Sequence, residues 1–165
     1  MPLSGLPCWK TSQPVSFSRL NPGQTTRIKT NTDLHQLGQV LEWFEQFDQP
    51  QIPRTVWLQC QLALAEGFTN AVRHAHADKP VETPIEVEVM LRDGAIELRI
   101  WDCGSGFDLE HRLDSLPEPE NQQHSGGRGL KIIQQTADVM DYEAVEADRN
   151  CLLIVKHYPT DHYPT

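Results

Sequence analysis

The stretches Ile85-Glu86-Val87-Glu88-Val89 and Ile96-Glu97-Leu98-Arg99-Ile100-Trp101 decide the fold of this chain. In both stretches apolar and charged residues alternate with a period of two, which is the pattern of a β-strand with one buried face. Asp93-Gly94 lies between them and is typical of tight hairpin turns. The two stretches therefore predict a β-hairpin near the middle of the chain.

Two helices are predicted before this hairpin and one after it. Asp33 is a suitable N-cap for the first helix, which we expect to end before Pro50. Pro53 suits the first turn of the second helix, which we expect to run to about His76. The third helix is expected to follow the glycine-rich segment 126–129, because apolar residues recur there at helical spacing.

Three further strands are predicted at 26–30, 140–145 and 151–155 from alternating or apolar stretches. The order of elements implies a two-layer α/β sandwich, with a mixed, mostly antiparallel sheet that carries its helices on one face. Residues 108–125 are polar and contain two prolines, so we expect a loop there that acts as a mobile lid.

The domain is expected to cover residues 25–158. The proline-containing segment 1–24 predicts an irregular tail, and residues 159–165 predict a second one. The C-terminal segment contains two copies of His-Tyr-Pro-Thr, and we assign this repeat no function.

Composition restricts the class of protein. A chain of 165 residues with 38% hydrophobic content can bury a core without disulfides. Its four cysteines (Cys8, Cys60, Cys103 and Cys151) are far apart, which favours a reducing, cytoplasmic setting. No apolar run is long enough to span a bilayer and no secretory leader is evident, so we expect a soluble protein. The net charge of -9 argues against direct binding of nucleic acid and favours protein partners.

The second helix carries Glu66-x-x-x-Asn70-x-x-x-His74, three polar residues one turn apart on one side. The amide oxygen of Asn70 is a suitable ligand for magnesium, with waters and phosphates completing the shell. Glu66 is placed to accept a proton from an incoming hydroxyl. The alternative is that these side chains are simply the solvated face of an amphipathic helix.

The second motif, Asp102-Cys103-Gly104-Ser105-Gly106, follows the hairpin's second strand. The Asp102 carboxylate is suited to accept a hydrogen bond from the exocyclic amine of adenine, and the glycines let the backbone approach a ligand. The alternative is an ordinary turn.

The third motif, Gly126-Gly127-Arg128-Gly129-Leu130, precedes the third helix. Free N–H groups and the helix dipole favour a phosphate at such a position, and Arg128 would add positive charge. The alternative is a flexible loop end that caps a helix. No P-loop lysine pattern and no complete G-x-G-x-x-G occur, which excludes P-loop and Rossmann interpretations.

In this order the three motifs resemble those of the histidine-kinase-like (GHKL) ATPase superfamily, over about residues 26–158. Within it, the chain looks most like the bacterial anti-sigma-factor serine/threonine kinases. The resemblance implies the Bergerat-type ATP-binding fold, the cofactors ATP and Mg²⁺, and an anti-anti-sigma (STAS-domain) protein and a sigma factor as partners. It also implies that homodimers form frequently.

The resemblance implies a role for each matching residue. Glu66 would be the catalytic base or water-orienting group for phosphoryl transfer to a serine or threonine. Asn70 would hold magnesium, and Asp102 would bind the adenine amino group. His74 would support the nucleotide pocket. The remaining expected nucleotide contacts are Gly104, Gly106, Gly127, Arg128, Gly129 and Leu130.

Two alternatives remain at this stage. Sensor histidine kinases and gyrase-like ATPases are disfavoured, because the chain lacks room for their additional domains. A non-catalytic module that binds ATP and holds a protein partner stays open, and Glu66 counts against it.

Overall fold

The computed structural model describes residues 21–116, 127–146 and 148–160. Groups of helices separate the first strand from the second and third strands, and that pair from the last two strands. In chain order the helices and strands are β1 (Thr25–Asn31), a 3₁₀ turn (Leu34–Gln36), α1 (Leu37–Glu45), α2 (Arg54–Asn70), a π-helical segment (Ala71–Ala75), β2 (Pro84–Arg92), β3 (Ala95–Asp102), α3 (Leu109–Asp114), α4 (Arg128–Thr136), β4 (Val139–Glu146) and β5 (Arg149–His157).

Five strands form one sheet in the order β1-β2-β3-β5-β4. All four of these strand pairings are antiparallel. The predicted hairpin joins β2 and β3, and its Gly94 has a φ of 76°. That backbone conformation is strained for residues with a β-carbon, which explains the Asp-Gly turn. The predicted two-layer α/β fold is confirmed.

One face of the sheet carries the helices. The alternating apolar residues of the hairpin are fully or almost fully buried on this face: Ile85, Val87, Val89, Leu91, Ile96, Leu98 and Ile100. Helix α2 lies against β3 and β5, and both α1 and α4 pack against α2. Phe44 of α1 stacks on Trp57 of α2 with ring centroids 4.2 Å apart. The core therefore lies between α2 and the central strands.

The opposite face of the sheet carries ion pairs. Glu88 is buried there and accepts from Arg27 Nε at 2.5 Å and from Arg99 Nη1 at 3.1 Å. The cross-strand register explains these pairs, because Glu88 lies opposite Arg27 of β1 and Arg99 of β3. Opposite charges on directly paired strands stabilise the sheet, and buried charges need such partners.

The N-terminal helical region follows its sequence signals. Asp33 accepts a hydrogen bond from the His35 N–H at 2.9 Å, and so caps the 3₁₀ turn that leads into α1. Pro53 directly precedes α2. The α-helical part of α2 ends at Asn70, and a π-helical segment continues it towards His76. The sequence pattern gave no indication of this change in helix type.

The expected lid needs a correction where the structure describes it. Residues 109–114 are not a loop but the short helix α3, capped by Asp108, which accepts from the His111 N–H at 2.9 Å. A helix of six residues is too short to show a recognisable apolar period. Residues 117–125 of the expected lid, and Gly126, lie outside the described residues.

Most of both expected tails also lies outside the described residues, since these omit 1–20 and 161–165. The tail boundaries remain predictions. Tyr158, in the first copy of the repeated ending, belongs to the core and is 9% exposed. Within residues 21–116, 127–146 and 148–160, no helix is long and apolar enough to cross a bilayer.

Candidate functional site

A cavity of about 230 Å³ lies between the C-terminal part of α2 and the ends of β3, β4 and β5. Its lining combines apolar side chains with a few polar groups, which is typical of a small-molecule site. The lining residues are Gly67, Asn70, Ala71, His74, Ala75, Ile100, Asp102, Ser105, Gly106, Phe107, Arg112, Leu130, Tyr142 and Leu152.

Helix α2 brings Asn70 and His74 to the cavity, as their spacing of four predicts. The Asn70 side-chain nitrogen is buried and has no hydrogen-bond partner among the described residues. A buried amide without a partner costs free energy, so this side chain is suited to meet a ligand. The pKa of His74 is lowered, chiefly by burial and further by the positive charges of Arg112 and Arg73.

Asp102 ends β3 and is 4% exposed. Its Oδ1 accepts from the Gly104 N–H at 2.8 Å and from Asn150 Nδ2 at 2.9 Å. Its Oδ2 accepts from the Tyr142 hydroxyl at 2.9 Å. Three neutral donors thus fix the orientation of this buried carboxylate, as a buried charge requires.

The glycines after Asp102 have different neighbours. Gly106 lines the cavity with a φ of 76°, and a β-carbon there would lie 3.0 Å from Asn150 Oδ1. A β-carbon on Gly104 would lie 2.5 Å from the Ala75 carbonyl oxygen. Gly104 therefore permits close packing of the loop on the end of the π-helical segment, and it is not among the lining residues of the cavity.

The described part of the third motif, residues 127–130, forms the N-terminus of α4. Leu130 lines the cavity, and Arg128 is exposed beside it in sequence. A β-carbon on Gly129 would lie 2.7 Å from Glu66 Oε2 and 3.2 Å from Asn70 Nδ2. A β-carbon on Gly127 would overlap the Leu116 side chain, at 1.9 Å from its Cδ2. A β-carbon at either position would therefore require the end of a neighbouring side chain, Leu116 or Glu66, to move.

The structure brings the three motifs together. Asn70, Asp102 and Leu130, one residue from each motif, line the same cavity. Glu66 is not a lining residue but lies beside the α4 N-terminus, next to Gly129. The assignment of catalytic and binding roles to these residues stays a prediction.

Sequence analysis missed several polar residues in or beside the cavity. Tyr142 and Asn150 reach Asp102 from β4 and β5, and Arg112 reaches the cavity from α3. Asn150 lies directly opposite Asp102 in the pairing of β3 with β5. This register would have identified Asn150, but strand order is a long-range property that no local motif encodes.

His76 is almost fully buried next to this site, at 2% exposure. The Cys103 N–H donates to its Nε2 at 2.7 Å, so the ring proton lies on Nδ1, which is 2.7 Å from Thr32 Oγ1. That hydroxyl donates in turn to the Thr83 carbonyl at 2.7 Å. The pKa of His76 is lowered, chiefly by burial. The chain of hydrogen bonds ties the loop after Asp102 to the end of β1.

These features define an ATPase-type domain. The chain belongs to the histidine kinase-like ATPase domain family, whose model matches residues 30–156. This range agrees with the 26–158 expected from the motifs, and the superfamily prediction is confirmed.

Among curated proteins the chain is similar to several named serine-protein kinase RsbW. It is 31% identical over 83 residues to the one from Listeria monocytogenes serotype 4a (strain HCC23), covering 47% of this chain and 52% of the relative. It is 28% identical over 90 residues to the one from Bacillus pumilus (strain SAFR-032), covering 51% and 56%. A third, from Oceanobacillus iheyensis, is 34% identical over 83 residues, covering 47% and 52%. The chain thus spans about half the length of these relatives, and the predicted resemblance to bacterial serine kinases is confirmed as a similarity.

Proposed function

We propose that this chain is an ATP-dependent protein serine/threonine kinase that acts as an anti-sigma factor. It phosphorylates an anti-anti-sigma partner with a STAS domain and sequesters a sigma factor. The observation that carries the proposal is the convergence of Asn70, Asp102 and Leu130 on one cavity, with Glu66 beside the N-terminus of α4. The similar proteins from Listeria monocytogenes and Bacillus pumilus are named serine-protein kinases, which supports the same activity.

The base end of the site is Asp102. Its buried carboxylate accepts a hydrogen bond from the exocyclic amine of adenine, while Ala71, Ile100 and Leu152 supply apolar walls for the ring. A buried polar group in an apolar pocket fixes both the orientation and the identity of a ligand.

The phosphate end is the N-terminus of α4. Backbone N–H groups from Gly127 to Gly129 lie at the helix start and have no acceptor within the helix, and together with the helix dipole they favour an anion. Arg128 is exposed there and adds positive charge. The glycines at the two flanking positions bring the backbone close to the side chains of Leu116 and Glu66.

Asn70 fits a magnesium site. Its buried Nδ2 has no partner in the described part of the chain, which leaves the side chain available to a ligand, and an amide oxygen is a suitable ligand for a hard cation that keeps most of its waters. Magnesium bound with ATP would neutralise phosphate charge. Asn70 would hold it through its side-chain oxygen, and this neutral amide would add no negative charge near the phosphates.

Glu66 acts on the phosphate acceptor. It takes the proton of the serine or threonine hydroxyl as the acceptor oxygen bonds to the γ-phosphorus and the bond from that phosphorus to the bridging oxygen of ADP breaks. The position of Glu66 beside Gly129 and Asn70 suits this role, because base, metal ligand and phosphate donors are neighbours. Alignment of the reactants supplies much of the catalysis in phosphoryl transfer.

The cytoplasmic setting and the homodimer belong to the same proposal. Cys60, Cys103 and Cys151 are free thiols, which suits a reducing compartment. Light scattering of the purified chain at several concentrations tests for the dimer.

The decisive experiment is a transfer assay. The purified chain is incubated with magnesium and ATP labelled in the γ-phosphate, together with STAS-domain proteins from the same genome. We expect label on a serine or threonine of one partner. The Glu66→Gln variant should bind ATP but lose transfer, and Asp102→Asn should lose binding. Glu42→Gln on the exposed side of α1 makes the same charge change away from the cavity and should transfer normally.

The outcomes separate the two candidate functions. Tight ATP binding without label on any partner would contradict the kinase and support the non-catalytic binding module. Full transfer by Glu66→Gln would contradict the assignment of the base while leaving the kinase intact.

A further inference from the structure

The Asp102 carboxylate, where the proposed adenine base binds, already accepts almost all the hydrogen bonds that it can. An ionised carboxylate offers about four acceptor positions. Gly104 and Asn150 fill the two of Asp102 Oδ1, and the Tyr142 hydroxyl fills one of Oδ2. Among the described residues no other donor reaches this carboxylate, so one acceptor position remains, and it belongs to Oδ2.

The Tyr142 hydroxyl completes this arrangement. Since the carboxylate has no proton to give, the phenol must be the donor in the 2.9 Å contact. Burial and the neighbouring Asp102 charge raise the pKa of Tyr142, which keeps the phenol protonated. Because the hydroxyl uses its only O–H in this hydrogen bond, it can act only as an acceptor towards a ligand.

Phe107 holds the phenol in place. Its ring stacks on that of Tyr142, with centroids 4.2 Å apart and planes 18° from parallel. Phe107 directly follows Gly106, whose positive φ turns the loop towards the end of the sheet. Both rings line the cavity.

We propose that Tyr142 is the positioning residue that makes this site select a 6-amino purine, acting through the single acceptor position that it leaves on Asp102. This inference rests on the proposed function, since it concerns the base of the same nucleotide. One N–H of a 6-amino group satisfies one acceptor position. Guanine instead presents a 6-oxo acceptor and two parallel donors, N1–H and the 2-amino group, which need two free carboxylate oxygens.

Removal of the hydroxyl relaxes this selection. In Tyr142→Phe the ring and its stacking on Phe107 remain, but Oδ2 has two open positions and the carboxylate loses one of three restraints. Tyr142→Phe should therefore lower the affinity for ligands whose 6-amino group binds Asp102. The affinity for ligands without that group should change little. If Tyr142 had only a structural role, Tyr142→Phe would lower the affinity for all purine nucleotides alike.

The test is calorimetric titration with ATP, GTP and purine riboside triphosphate, which lacks the 6-amino group. For Tyr142→Phe we expect the affinity for ATP to fall by roughly fivefold to tenfold, as for the loss of one buried hydrogen bond. The affinity for purine riboside triphosphate should stay within about twofold, so the preference for ATP shrinks. Tyr158→Phe is the matched control, because its hydroxyl donates to the Arg92 carbonyl instead of Asp102.

The same titrations on a second variant, Phe107→Leu, and on the unmodified chain test the role of Tyr142 further. Phe107→Leu removes the ring that holds Tyr142 and should reduce the preference for ATP in the same direction. Equal losses for all three nucleotides, or unchanged ATP affinity in Tyr142→Phe, would overturn the role of Tyr142. If the unmodified chain bound ATP no better than purine riboside triphosphate, the role of Asp102 in binding the 6-amino group would be refuted, whereas the kinase activity would still be decided by the transfer assay.

Discussion

Gly129 of α4 lies against the Glu66 carboxylate of α2, so closely that a β-carbon on Gly129 would come within 2.7 Å of Glu66 Oε2. Residues 63 positions apart in the sequence thus determine each other's surroundings. Because Asn70 Nδ2 would be only 3.2 Å from the same β-carbon, the contact joins the predicted base to the predicted metal ligand.

Gly129→Ala should therefore impair transfer more than nucleotide binding. The added methyl group displaces the Glu66 carboxylate, and a small misplacement of a reacting group is costly. We expect kcat for phosphoryl transfer to fall by about tenfold or more, with a smaller change in the Kd for ATP. Single-turnover kinetics with the labelled nucleotide measure the first quantity and calorimetry the second. Unchanged kcat would show that Glu66 does not need its present position.

Asn70→Ala should remove the magnesium dependence of ATP binding. The variant loses the amide that fits a hard cation at the cavity, so magnesium should no longer strengthen ATP affinity. Calorimetric titrations of ATP with and without magnesium provide the measurement. A magnesium effect of the same size in variant and unmodified chain would exclude Asn70 as its ligand.

Gly67 and Gly38 are helical glycines with opposite surroundings, and they form a matched pair. A β-carbon on Gly38 meets nothing within 4 Å, so Gly38→Ala should stabilise the fold by up to about 1 kcal/mol through helix propensity. A β-carbon on Gly67 would lie 2.4 Å from Ile100 Cδ1 and 3.2 Å from Leu152 Cδ2. Overpacking of this buried contact should outweigh the gain and destabilise the fold by about 1 kcal/mol.

Urea denaturation of both alanine variants measures this difference in the free energy of unfolding. Equal stabilisation by the two substitutions would contradict the close packing of α2 on β3 and β5. Since Gly67 also lines the cavity, its variant should in addition bind ATP more weakly.

The buried His76 should make stability depend on pH. Its pKa is lowered in the fold, chiefly by burial, with Lys79 lowering it further and Asp102 and Asp78 opposing. As the pH falls through the unfolded value of about 6.5, the unfolded chain takes up a proton that the folded chain resists. This uptake favours the unfolded state. The free energy of unfolding therefore decreases by up to about 1.4 kcal/mol per pH unit until the pH reaches the lowered pKa of the folded state.

His76→Gln removes that proton uptake while keeping an acceptor for the Cys103 N–H. We expect the stability advantage of the unmodified chain over the variant, measured by urea denaturation, to be larger at about pH 7.5 than at about pH 5, because these values lie on either side of the ordinary pKa of histidine. Carboxylates titrate in both proteins, so the difference isolates His76. A stability difference that is independent of pH would contradict the buried neutral ring.

The elements that could be predicted from the sequence depend on local patterns. The alternation in β2 and β3, the Asp93-Gly94 turn, the Asp33 cap and Pro53 before α2 all have local physical causes, and all are present in the structure. Helix α3 was missed because six residues cannot show a helical period. The π-helical segment was missed because it continues the same apolar stripe as α2.

The sequence by itself determined the element types and the three motifs of the candidate site, because turns, caps and apolar periods depend on neighbouring residues. Only the tertiary structure decided that Tyr142 and Asn150 hold Asp102, and that Gly129 meets Glu66. These contacts arise from the strand order β1-β2-β3-β5-β4 and from the packing of α4 on α2. Such long-range pairings depend on how the whole core is buried, so no single stretch of sequence specifies them.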